Sequence, residues 1–318
     1  MPKVREPHSR VVDGPDPEHR RERHPVLPLH QVRVHLARLR VAGPRAINFI
    51  SSRINRVAAS SQSTGGLDLF EVEISKIDPF RNLVKALSVI VEEGTFNMNE
   101  AQIKLLAMDP SHVAMVDFEL PREFFDKYSC EGEPRLTVNI GEFLKFLDRV
   151  DRDEHVTINL DEEQARLVIR CKRGGHSRRF MMPILEPLDE EVPQPKIFFK
   201  ASTRILTGSL RRAMRDASLV SEHVKLEVGG DAFTISATGD MGSALSEWGR
   251  DSDELLELKA EEDSKANFTL SYLNDIVNAV QASSEVATLE LSTDMPIKMD
   301  FELPQGRLIY YLAPMIGV

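Results

Sequence analysis

The sequence predicts an α+β protein built from two similar domains. Short patterns recur about 130 positions apart, since Val156–Leu160 resembles Ala287–Leu291 and Phe143–Leu147 resembles Tyr272–Ile276. A repeat of this length indicates duplicated domains rather than a solenoid. Residues 183–196, between the two halves, hold four prolines and an acidic run, which is typical of an extended linker.

Each half is predicted to run strand, helix, strands, helix, strands. In the first half, the alternating segment Phe70–Ser75 precedes a helix that begins near Asp78 and Pro79, because proline is tolerated in the first helical turn. An apolar stripe at helical spacing supports this helix: Phe80, Leu83, Val84, Leu87 and Ile90 or Val91.

The remaining elements follow from apolar spacing and turn residues. The further strands of the first half are Phe96–Asn99, Ile103–Met108 and Ala114–Leu120, followed by a hairpin of Val156–Leu160 and Arg166–Arg170. The other predicted helices are Ile140–Val150, Ser202–Ala217 and Ser271–Val280. The duplication predicts that the two halves have the same order of elements.

Composition excludes several classes of protein. The chain has 318 residues, which is enough for two domains of ordinary size. No apolar run approaches the roughly 20 residues that span a bilayer, and the start lacks the apolar segment of a secretory signal. Cys130 and Cys171 fit neither a disulfide framework nor a zinc site, so we expect no metal and a reducing, intracellular location.

Charge is distributed unevenly along the chain. Residues 1–66 contain 12 Lys and Arg against 5 Asp and Glu, whereas the remaining 252 residues contain 28 against 45. The basic segment holds seven prolines and little periodicity. Three hypotheses fit it: a nucleic-acid-binding tail, a disordered segment, or an untranslated leader read as protein, with the true start at Leu67 or Leu69. We favour the leader.

The acidic body nevertheless has basic residues at helical spacing on its predicted helices. They are Arg81 and Lys85, then Lys145 and Arg149, then Arg211, Arg212 and Arg215. A solvated helix face would explain any single pair. Repetition on several helices instead favours contact with phosphates, which reads no sequence. A basic helical face on an acidic protein suits one that encircles DNA and repels it elsewhere.

Four motifs occur in one order along nearly the whole acidic body: Ala107–Val113, Phe233–Asp240, Ser271–Asn274 and Tyr310–Pro314. In that order they resemble the archaeal and eukaryotic sliding clamps of the proliferating cell nuclear antigen (PCNA) type. The resemblance begins near Leu69 and has no counterpart for residues 1–66. It divides the chain into a leader (1–66), a first clamp domain (67–182), a linker (183–196) and a second clamp domain (197–318).

The resemblance implies a ring of three subunits, with helices lining the hole and antiparallel sheets outside. Such a ring slides on duplex DNA as a processivity factor and has no catalytic activity of its own. Its implied partners in replication and repair are a replicative polymerase, a flap endonuclease, a DNA ligase and a clamp loader, which dock through short peptide motifs. The implied location is the cytoplasm with the nucleoid in an archaeon, or the nucleus in a eukaryote.

The same resemblance implies which residues face DNA. Carried over by position, they are Arg81, Lys145, Arg212 and Arg215, and helical spacing adds Lys85, Arg149 and Arg211. Two positions depart from the family pattern, because Asn278 and Asp148 stand where basic residues are common. We therefore expect the DNA-facing charge to differ between the helices.

The resemblance also implies a groove for partner peptides. Its residues are Met108, His112, Val113, Met115, Val192, Pro193, Pro296, Tyr311, Leu312, Ala313 and Pro314. Methionines and small apolar groups suit an adaptable groove for one aliphatic and two aromatic side chains. The alternative is that Met108, Val113 and Met115 are plain core, and that His112 is a capped turn residue near Asp109 rather than half of an acid–base pair. The two adjacent tyrosines, Tyr310 and Tyr311, must point to opposite faces of their strand.

Ring closure needs two exposed strand edges. We expect them at Ala165–Arg173 and Gly242–Arg250. The predicted interface residues are Leu167, Ile169, Arg170, Lys172, Arg173, Ser246, Glu247 and Trp248, with Asp251 and Asp253 as further acidic complements. Such charges would select the neighbour more than strengthen the contact.

Rival functions are less well supported. The sequence lacks a phosphate-binding glycine loop, paired-cysteine metal spacing and a nucleophile motif, so an enzyme is not expected. A subunit of a heteromeric or damage-signalling clamp would share the fold and differ in partners, so a homotrimer and a heterotrimer both stay open. An adaptor that docks proteins without encircling DNA would not need the repeated basic helices.

Overall fold

The structure is a computed structural model that describes residues 69–161, 164–187, 192 and 195–315. The chain divides into two units, Met1–Gly66 and Leu67–Val318. The predicted leader lies outside the described residues, as do residues 188–191, 193 and 194 of the predicted linker. Within the described ranges, no helix is both long and apolar enough to cross a membrane.

The first half begins with a strand and a helix, as predicted. Its elements are β1 (Phe70–Ile74), α1 (Ile77–Leu87), β2 (Glu93–Met98), β3 (Gln102–Met108), β4 (Ala114–Pro121), β5 (Lys127–Cys130), β6 (Arg135–Asn139), α2 (Ile140–Leu147), β7 (His155–Asp161), β8 (Arg166–Arg173) and β9 (His176–Pro183). A single 3-10 turn, Arg122–Phe124, precedes β5.

The second half has the same order of elements. They are β10 (Ala201–Leu206), α3 (Thr207–Ala217), β11 (His223–Val228), β12 (Ala232–Gly239), β13 (Gly242–Gly249), β14 (Leu255–Ala260), β15 (Ser264–Thr269), α4 (Leu270–Val280), β16 (Val286–Leu291), β17 (Ile297–Phe301) and β18 (Arg307–Leu312). Each element from β1 to β9 therefore has an equivalent from β10 to β18, as a duplicated domain requires.

The helix predicted at Ser202–Ala217 is wrong in its first turn. Residues 202–206 belong to β10, and α3 begins only at Thr207. Thr203 and Ile205 are buried while Ser202 and Arg204 are half-exposed, so the burial follows the period of two of a strand. Arg204 accordingly pairs with Glu302 from its strand and does not lie on a helix.

The two halves also share one sheet topology. The first half has the strand order β5-β1-β7-β8-β9 and the second has β14-β10-β16-β17-β18. The other sheet is β4-β3-β2-β6 in the first half and β13-β12-β11-β15 in the second. Neighbouring strands in each of these sheets pair antiparallel.

The halves join through the last strand of the chain. β18 pairs antiparallel with β4, from Arg307 opposite Glu119 to Leu312 opposite Ala114. This pairing merges one sheet of each half into a single nine-stranded sheet. The apolar strand β18 therefore joins the two halves, and we call its pairing with β4 the seam.

The helices form because each one places an apolar stripe against the sheets. In α1 the buried residues include Phe80, Leu83 and Leu87, as the spacing predicts. In α2 the side chain of Asn139 accepts a 2.8 Å hydrogen bond from the backbone amide of Glu142, which caps the helix. That helix ends at Leu147 rather than at the predicted Val150.

The four helices lie side by side. α1 packs beside both α2 and α4, and α4 packs beside α3. Their order across the molecule is therefore α2, α1, α4, α3, and we call this array the helix layer. Because α1 belongs to the first half and α4 to the second, the helix layer continues across the seam.

One of the two predicted edges is wrong. β8, which spans most of Ala165–Arg173, lies between β7 and β9, so its backbone is paired on both sides. Leu167 and Ile169 are fully buried. The edge strands of that sheet are β5 and β9, and β9 is the one next to β8, whereas β13 does lie at an edge, as predicted for Gly242–Arg250. The missed signal is the hairpin turn at Gly174, whose positive φ of 55° leads directly into β9.

The adjacent tyrosines of β18 point to opposite faces. Tyr310 is fully buried, and its ring packs edge-to-face on Phe301 at a centroid distance of 6.0 Å. Tyr311 stays half-exposed on the other face. The alternation of a β-strand explains this division, which was the sequence-based prediction.

Candidate nucleic-acid interface and partner groove

The helix layer places equivalent basic residues on equivalent helices. Arg81 and Lys85 of α1 correspond to Arg211 and Arg215 of α3, because both helices span 11 residues at equivalent places in the repeat. These side chains differ sharply in what they contact.

Arg81 is committed to the fold. Its Nε and Nη2 donate to the carbonyl oxygens of Leu147 and Val150 at 3.1 and 2.5 Å, and Nη1 donates to Asp78 at 2.7 Å. Only 19% of the side chain is exposed. The guanidinium therefore binds one carbonyl in the last residue of α2 and one just beyond that helix, and it holds α1 against α2.

Arg211 makes the corresponding link in the second half. Its Nε donates to Oδ1 of Asn278 on α4 at 2.6 Å. In the first half, Arg81 lies 3.7 Å from Asp148, which is the equivalent of Asn278. The two departures from the family pattern are thus the partners of the two equivalent arginines.

Lys85, Arg149 and Arg215 are exposed, and none of them has an ion pair with another described residue. Arg149 lies just beyond the end of α2. By contrast, Lys145 pairs with Glu142 at 2.7 Å, and Arg212 pairs with Glu254. Arg211 also lacks an ion pair, because its partner Asn278 is neutral, so four of the seven predicted basic residues have a charge that is not matched within the described part of the chain.

Helix α4 contributes the least positive charge to the helix layer. α4 exposes Ser271, Asp275 and Asn278, and it has no basic residue in its last turn. Asp275 stands at the position equivalent to Lys145. The uneven charge expected from the sequence is therefore present, with the unpaired cations on α1, on α3 and after α2.

The floor of the candidate groove is a row of side chains across three strands. Met108 lies opposite Met115, and Met115 lies opposite Tyr311, so all three point to one face of the sheet. Met108 and Tyr311 are half-exposed, while Met115 is only 4% exposed. We name this row the groove floor.

The row continues into a charged pair that the sequence-based interpretation missed. Lys298 lies opposite Tyr311, and Glu290 lies opposite Lys298 with its carboxylate against the ammonium group. Burial disfavours the ammonium, but Glu290 outweighs this effect and raises the pKa of Lys298. The alternation of side chains along β16 and β17 was the sequence signal that could have identified this pair.

A tight loop between β3 and β4 follows Met108 and is one wall of the candidate groove. The side chain of Asp109 accepts hydrogen bonds from the amides of Ser111 at 3.2 Å and of Val113 and Ala114 at 2.7 Å. His112 is exposed at a positive φ of 56°. It is a turn residue, and its amide donates to the carbonyl oxygen of Asp109 at 2.9 Å.

Residues 313 and 314 are the adjoining wall of the candidate groove. Ala313 and Pro314 are half-exposed, and the amide of Ala313 donates to the carbonyl oxygen of Val113 at 2.9 Å. Leu312 is fully buried, so its side chain belongs to the core and not to the groove surface. Pro296 and Val192 are half-exposed, and Pro193 lies outside the described residues.

Side-chain contacts within the chain support the edge strands β9 and β13. In β9, Phe180 packs on Phe146 at 5.9 Å, and Arg178 donates to the buried carboxylate of Glu154. In β13, Trp248 stacks on Phe233 at 5.5 Å.

Several predicted interface charges are already paired within the chain. Arg170 donates to Asn159 at 2.6 Å, and Arg173 pairs with Asp153 at 3.1 Å. Lys172 is exposed on the interior strand β8, whereas Ser246 and Glu247 lie on the edge strand β13.

The described residues hold no cluster of three or more His, Cys, Asp or Glu placed to bind a metal ion. Cys130 and Cys171 are both buried and unpaired with each other, and burial raises the pKa of each thiol.

The sequence matches two family models along the body of the chain. "Proliferating cell nuclear antigen, N-terminal domain" matches residues 69–182, and "Proliferating cell nuclear antigen, C-terminal domain" matches residues 194–316. Among curated relatives, a DNA polymerase sliding clamp of Cenarchaeum symbiosum is 30% identical over 249 residues, covering 78% of this chain and 99% of the relative. DNA polymerase sliding clamp 1 of Pyrobaculum aerophilum is 32% identical over 238 residues, covering 74% and 94%.

Solved structures show the same fold. PCNA from Thermococcus kodakaraensis aligns with a TM-score of 0.72 at 24% identity, covering 77% of this chain and 100% of that chain. PCNA from Entamoeba histolytica aligns with a TM-score of 0.72 at 19% identity, covering 79% and 100%. At these identities the likeness concerns the fold alone.

Proposed function

The chain belongs to the proliferating cell nuclear antigen family, and we propose that it is a DNA polymerase processivity factor that encircles duplex DNA and tethers replication and repair proteins. The observation that most supports this function is the continuous helix layer, which presents unpaired cations on an otherwise acidic protein. Lys and Arg on such a layer contact phosphates without reading bases, so the ring would slide.

The seam within the chain suggests how one copy joins the next. β18 is the equivalent of β9, and β4 is the equivalent of β13, so the paired seam β18–β4 has an unpaired counterpart in β9 and β13. We propose that β9 of one copy pairs with β13 of another in the same manner. This contact uses two unlike edges, and head-to-tail contacts close into a ring when the rotation permits.

The repeat also predicts the register of that contact. Matching the strand registers of the two halves places Met181 where Tyr311 stands, and Ser243 where Met115 stands. Because Tyr311 lies opposite Met115, we expect Met181 of one copy opposite Ser243 of the next. The same shift places Phe180 opposite its neighbour's Ala244.

Charge and apolar surface agree with this register. Arg179 of β9 would lie diagonally across from Glu247 of β13, within reach of a long side chain. Met181 is 42% exposed and Leu245 is 68% exposed, and they would be diagonal neighbours. One chain therefore holds both halves of a complementary contact, which favours a ring of identical copies. Three copies is the number that the family resemblance implies.

The groove floor and its two walls are the proposed docking site for partners. A polymerase, flap endonuclease, ligase or clamp loader would insert a short peptide whose aliphatic and aromatic side chains cover Met108, Met115 and Tyr311. Methionine side chains adapt to different occupants, which suits one groove that serves several proteins.

Topological retention tests the function. Loaded onto nicked circular duplex DNA, the full chain should remain bound through gel filtration, and a single cut that linearises the circle should release it. The control is the same DNA cut before loading. Equal retention on circular and linear DNA would defeat the proposal.

Disulfide cross-linking tests the register. Oxidation of the double variant Met181→Cys, Ser243→Cys should give covalent closed multimers, since directly opposed strand residues come close enough for a disulfide. The buried native cysteines should not compete. The matched control, Met181→Cys with Leu245→Cys, has the diagonal spacing and should cross-link poorly. Preferential cross-linking of the control would show a shifted register, and a monomer mass for the pure chain would favour the heteromeric alternative.

A further inference from the structure

A hydrogen bond connects the groove wall to the helix layer. The hydroxyl of Tyr272, on α4, donates to Oδ2 of Asp109 at 2.8 Å, although the two residues are 163 positions apart. Asp109 is 5% exposed and is the residue whose carboxylate also binds the amides of the β3–β4 loop. One buried carboxylate is therefore shared between the loop and a helix of the other half.

This carboxylate determines the shape of the wall. The loop between β3 and β4 turns through His112 at a positive φ, a conformation that a non-glycine residue adopts only when its surroundings hold it. The bonds to the Val113 and Ala114 amides supply that restraint. Val113 in turn accepts from the amide of Ala313, so the loop also sets the position of the chain-end wall.

The repeat contains no second loop and tyrosine that match the β3–β4 loop and Tyr272 within the described residues. The connection between β12 and β13 is only two residues, Asp240 and Met241, compared with five between β3 and β4. The helices begin at Ile140 and Leu270, so the residue equivalent to Tyr272 is Glu142, one position before the Phe143 that the sequence pattern matched with it. The carboxylate of Glu142 cannot donate to another carboxylate when ionised. The longer loop of the first half and the tyrosine of the second half therefore have no counterparts at the equivalent positions of the repeat.

The hydroxyl of Tyr272 is a persistent donor. Its hydrogen bond to Asp109 and its partial burial raise the pKa of Tyr272, so the phenol stays protonated at physiological pH. Burial opposes ionisation of Asp109, but the hydrogen bonds from Ala114, Tyr272, Val113 and Ser111 outweigh it and lower the pKa of Asp109. Donor and acceptor are therefore both in the protonation state that the bond needs.

We infer that Tyr272 is a positioning residue for the partner groove: its bond to Asp109 holds the β3–β4 loop in the peptide-binding shape, so affinity for partner peptides depends on helix α4. The inference rests on the proposed docking function of the groove. Tyr272 itself would touch no peptide. Its neighbours Ser271 and Asp275 are exposed on the helix layer, so the same helix faces the proposed DNA channel and supports the groove wall.

The test compares the full chain with Tyr272→Phe, which removes one oxygen and keeps the ring. The probe is a fluorescent peptide with one aliphatic and two adjacent aromatic side chains, titrated by anisotropy. We expect Tyr272→Phe to weaken peptide binding about tenfold, the size of effect that the loss of a hydrogen bond to a charged group can produce. Retention on circular DNA should not change. The control is Tyr128→Phe, whose hydroxyl bonds to the carbonyl oxygens of Asn99 and Gln102 away from the groove.

A second readout separates positioning from general stability. Hydrogen exchange of the Val113 and Ala114 amides should accelerate in Tyr272→Phe, while amides of β7 and β16 exchange as before. Wild-type affinity in Tyr272→Phe would overturn the inference and leave the groove intact. Failure of the unaltered chain to bind the peptide would overturn the proposed docking function together with this inference.

Discussion

Tyr310 donates its hydroxyl to the carbonyl oxygen of Ala86 at 2.8 Å, and this bond joins the last strand of the chain to its first helix. Ala86 lies in the final turn of α1, where a carbonyl has no amide to accept from within the helix. Tyr310 is fully buried, so water cannot take its place. The bond thus fastens the seam between the halves to the helix layer.

Replacing Tyr310 with phenylalanine should destabilise the protein by about 1–3 kcal/mol, because the carbonyl of Ala86 would stay buried without a partner. The free energy of unfolding in urea measures the loss. Tyr128→Phe is the matched control, and it should cost less because Tyr128 is half-exposed and water can reach the freed carbonyls. Equal costs for the two variants would contradict the role given to Tyr310.

Arg81 and Lys85 lie one turn apart on α1, and their replacement by alanine should affect the stability of the protein very differently. Arg81→Ala should lower the free energy of unfolding by about 2 kcal/mol, because it releases the carbonyl oxygens of Leu147 and Val150 and removes one of the two ion pairs of Asp78. Lys85→Ala should change stability by less than about 0.5 kcal/mol, since its side chain is exposed.

For DNA binding we expect the reverse, with a larger effect of Lys85→Ala than of Arg81→Ala. Lys85→Ala should weaken binding to a short duplex and reduce the salt dependence of log K by about one per lost phosphate contact. The double variant with Arg215→Ala should reduce it further. Titrations at several salt concentrations measure these slopes. A larger slope change for Arg81→Ala than for Lys85→Ala would show that Arg81 leaves its helix to contact DNA.

Charge reversal tests the proposed contact between copies. Arg179→Glu would face Glu247 of the next copy and should shift the assembly toward monomer, and Glu247→Arg alone should do the same by placing two arginines together. The double reversal should restore assembly. Molar mass by light scattering is the measurement. Arg170→Glu, which lies on the interior strand β8, should lower stability instead, because Arg170 is bonded to Asn159. Failure of the double reversal to rescue would remove this pair from the interface.

Acid should weaken the support behind β9 through Glu154. The bonds from Arg178 lower the pKa of Glu154 below its ordinary value of 4.5, although burial opposes this. A lowered native pKa adds stability that is fully present above pH 4.5 and is lost as pH falls through the native value.

Glu154→Gln should therefore be less stable than the unaltered chain at pH 7 by about 1–3 kcal/mol. The gap should narrow as the pH falls below 4.5 and through the lowered native pKa of Glu154, because the unaltered chain then loses the charge as well. Urea unfolding across this range measures it. A gap that does not change with pH would show that the ion pair contributes nothing beyond packing.

Much of the fold followed from local periodicity. The stripe from Phe80 to Leu87 predicted α1, and the recurrence of Val156–Leu160 at Ala287–Leu291 predicted two equal halves. Ser202–Leu206 was misassigned as helix because a short strand running directly into a helix leaves no turn residue between them.

In the candidate site, too, the sequence predicted residues within short motifs but not contacts between distant segments. The motifs around Met108 and Tyr311 placed the groove floor, whereas the Asp109–Tyr272 bond and the Lys298–Glu290 pair depend on residues that meet only after folding. Leu312 was assigned to the groove because its neighbours line it, but strand alternation turns its side chain into the core.

The sequence by itself determined the repeat, the faces of the helices and the division between Tyr310 and Tyr311, because each depends on spacing within one short segment. Only the tertiary structure decided that β18 pairs with β4, that β9 rather than β8 is the free edge, and that Arg81 binds α2. Strand partners and the reach of a long side chain depend on contacts between distant segments. No local period records those contacts.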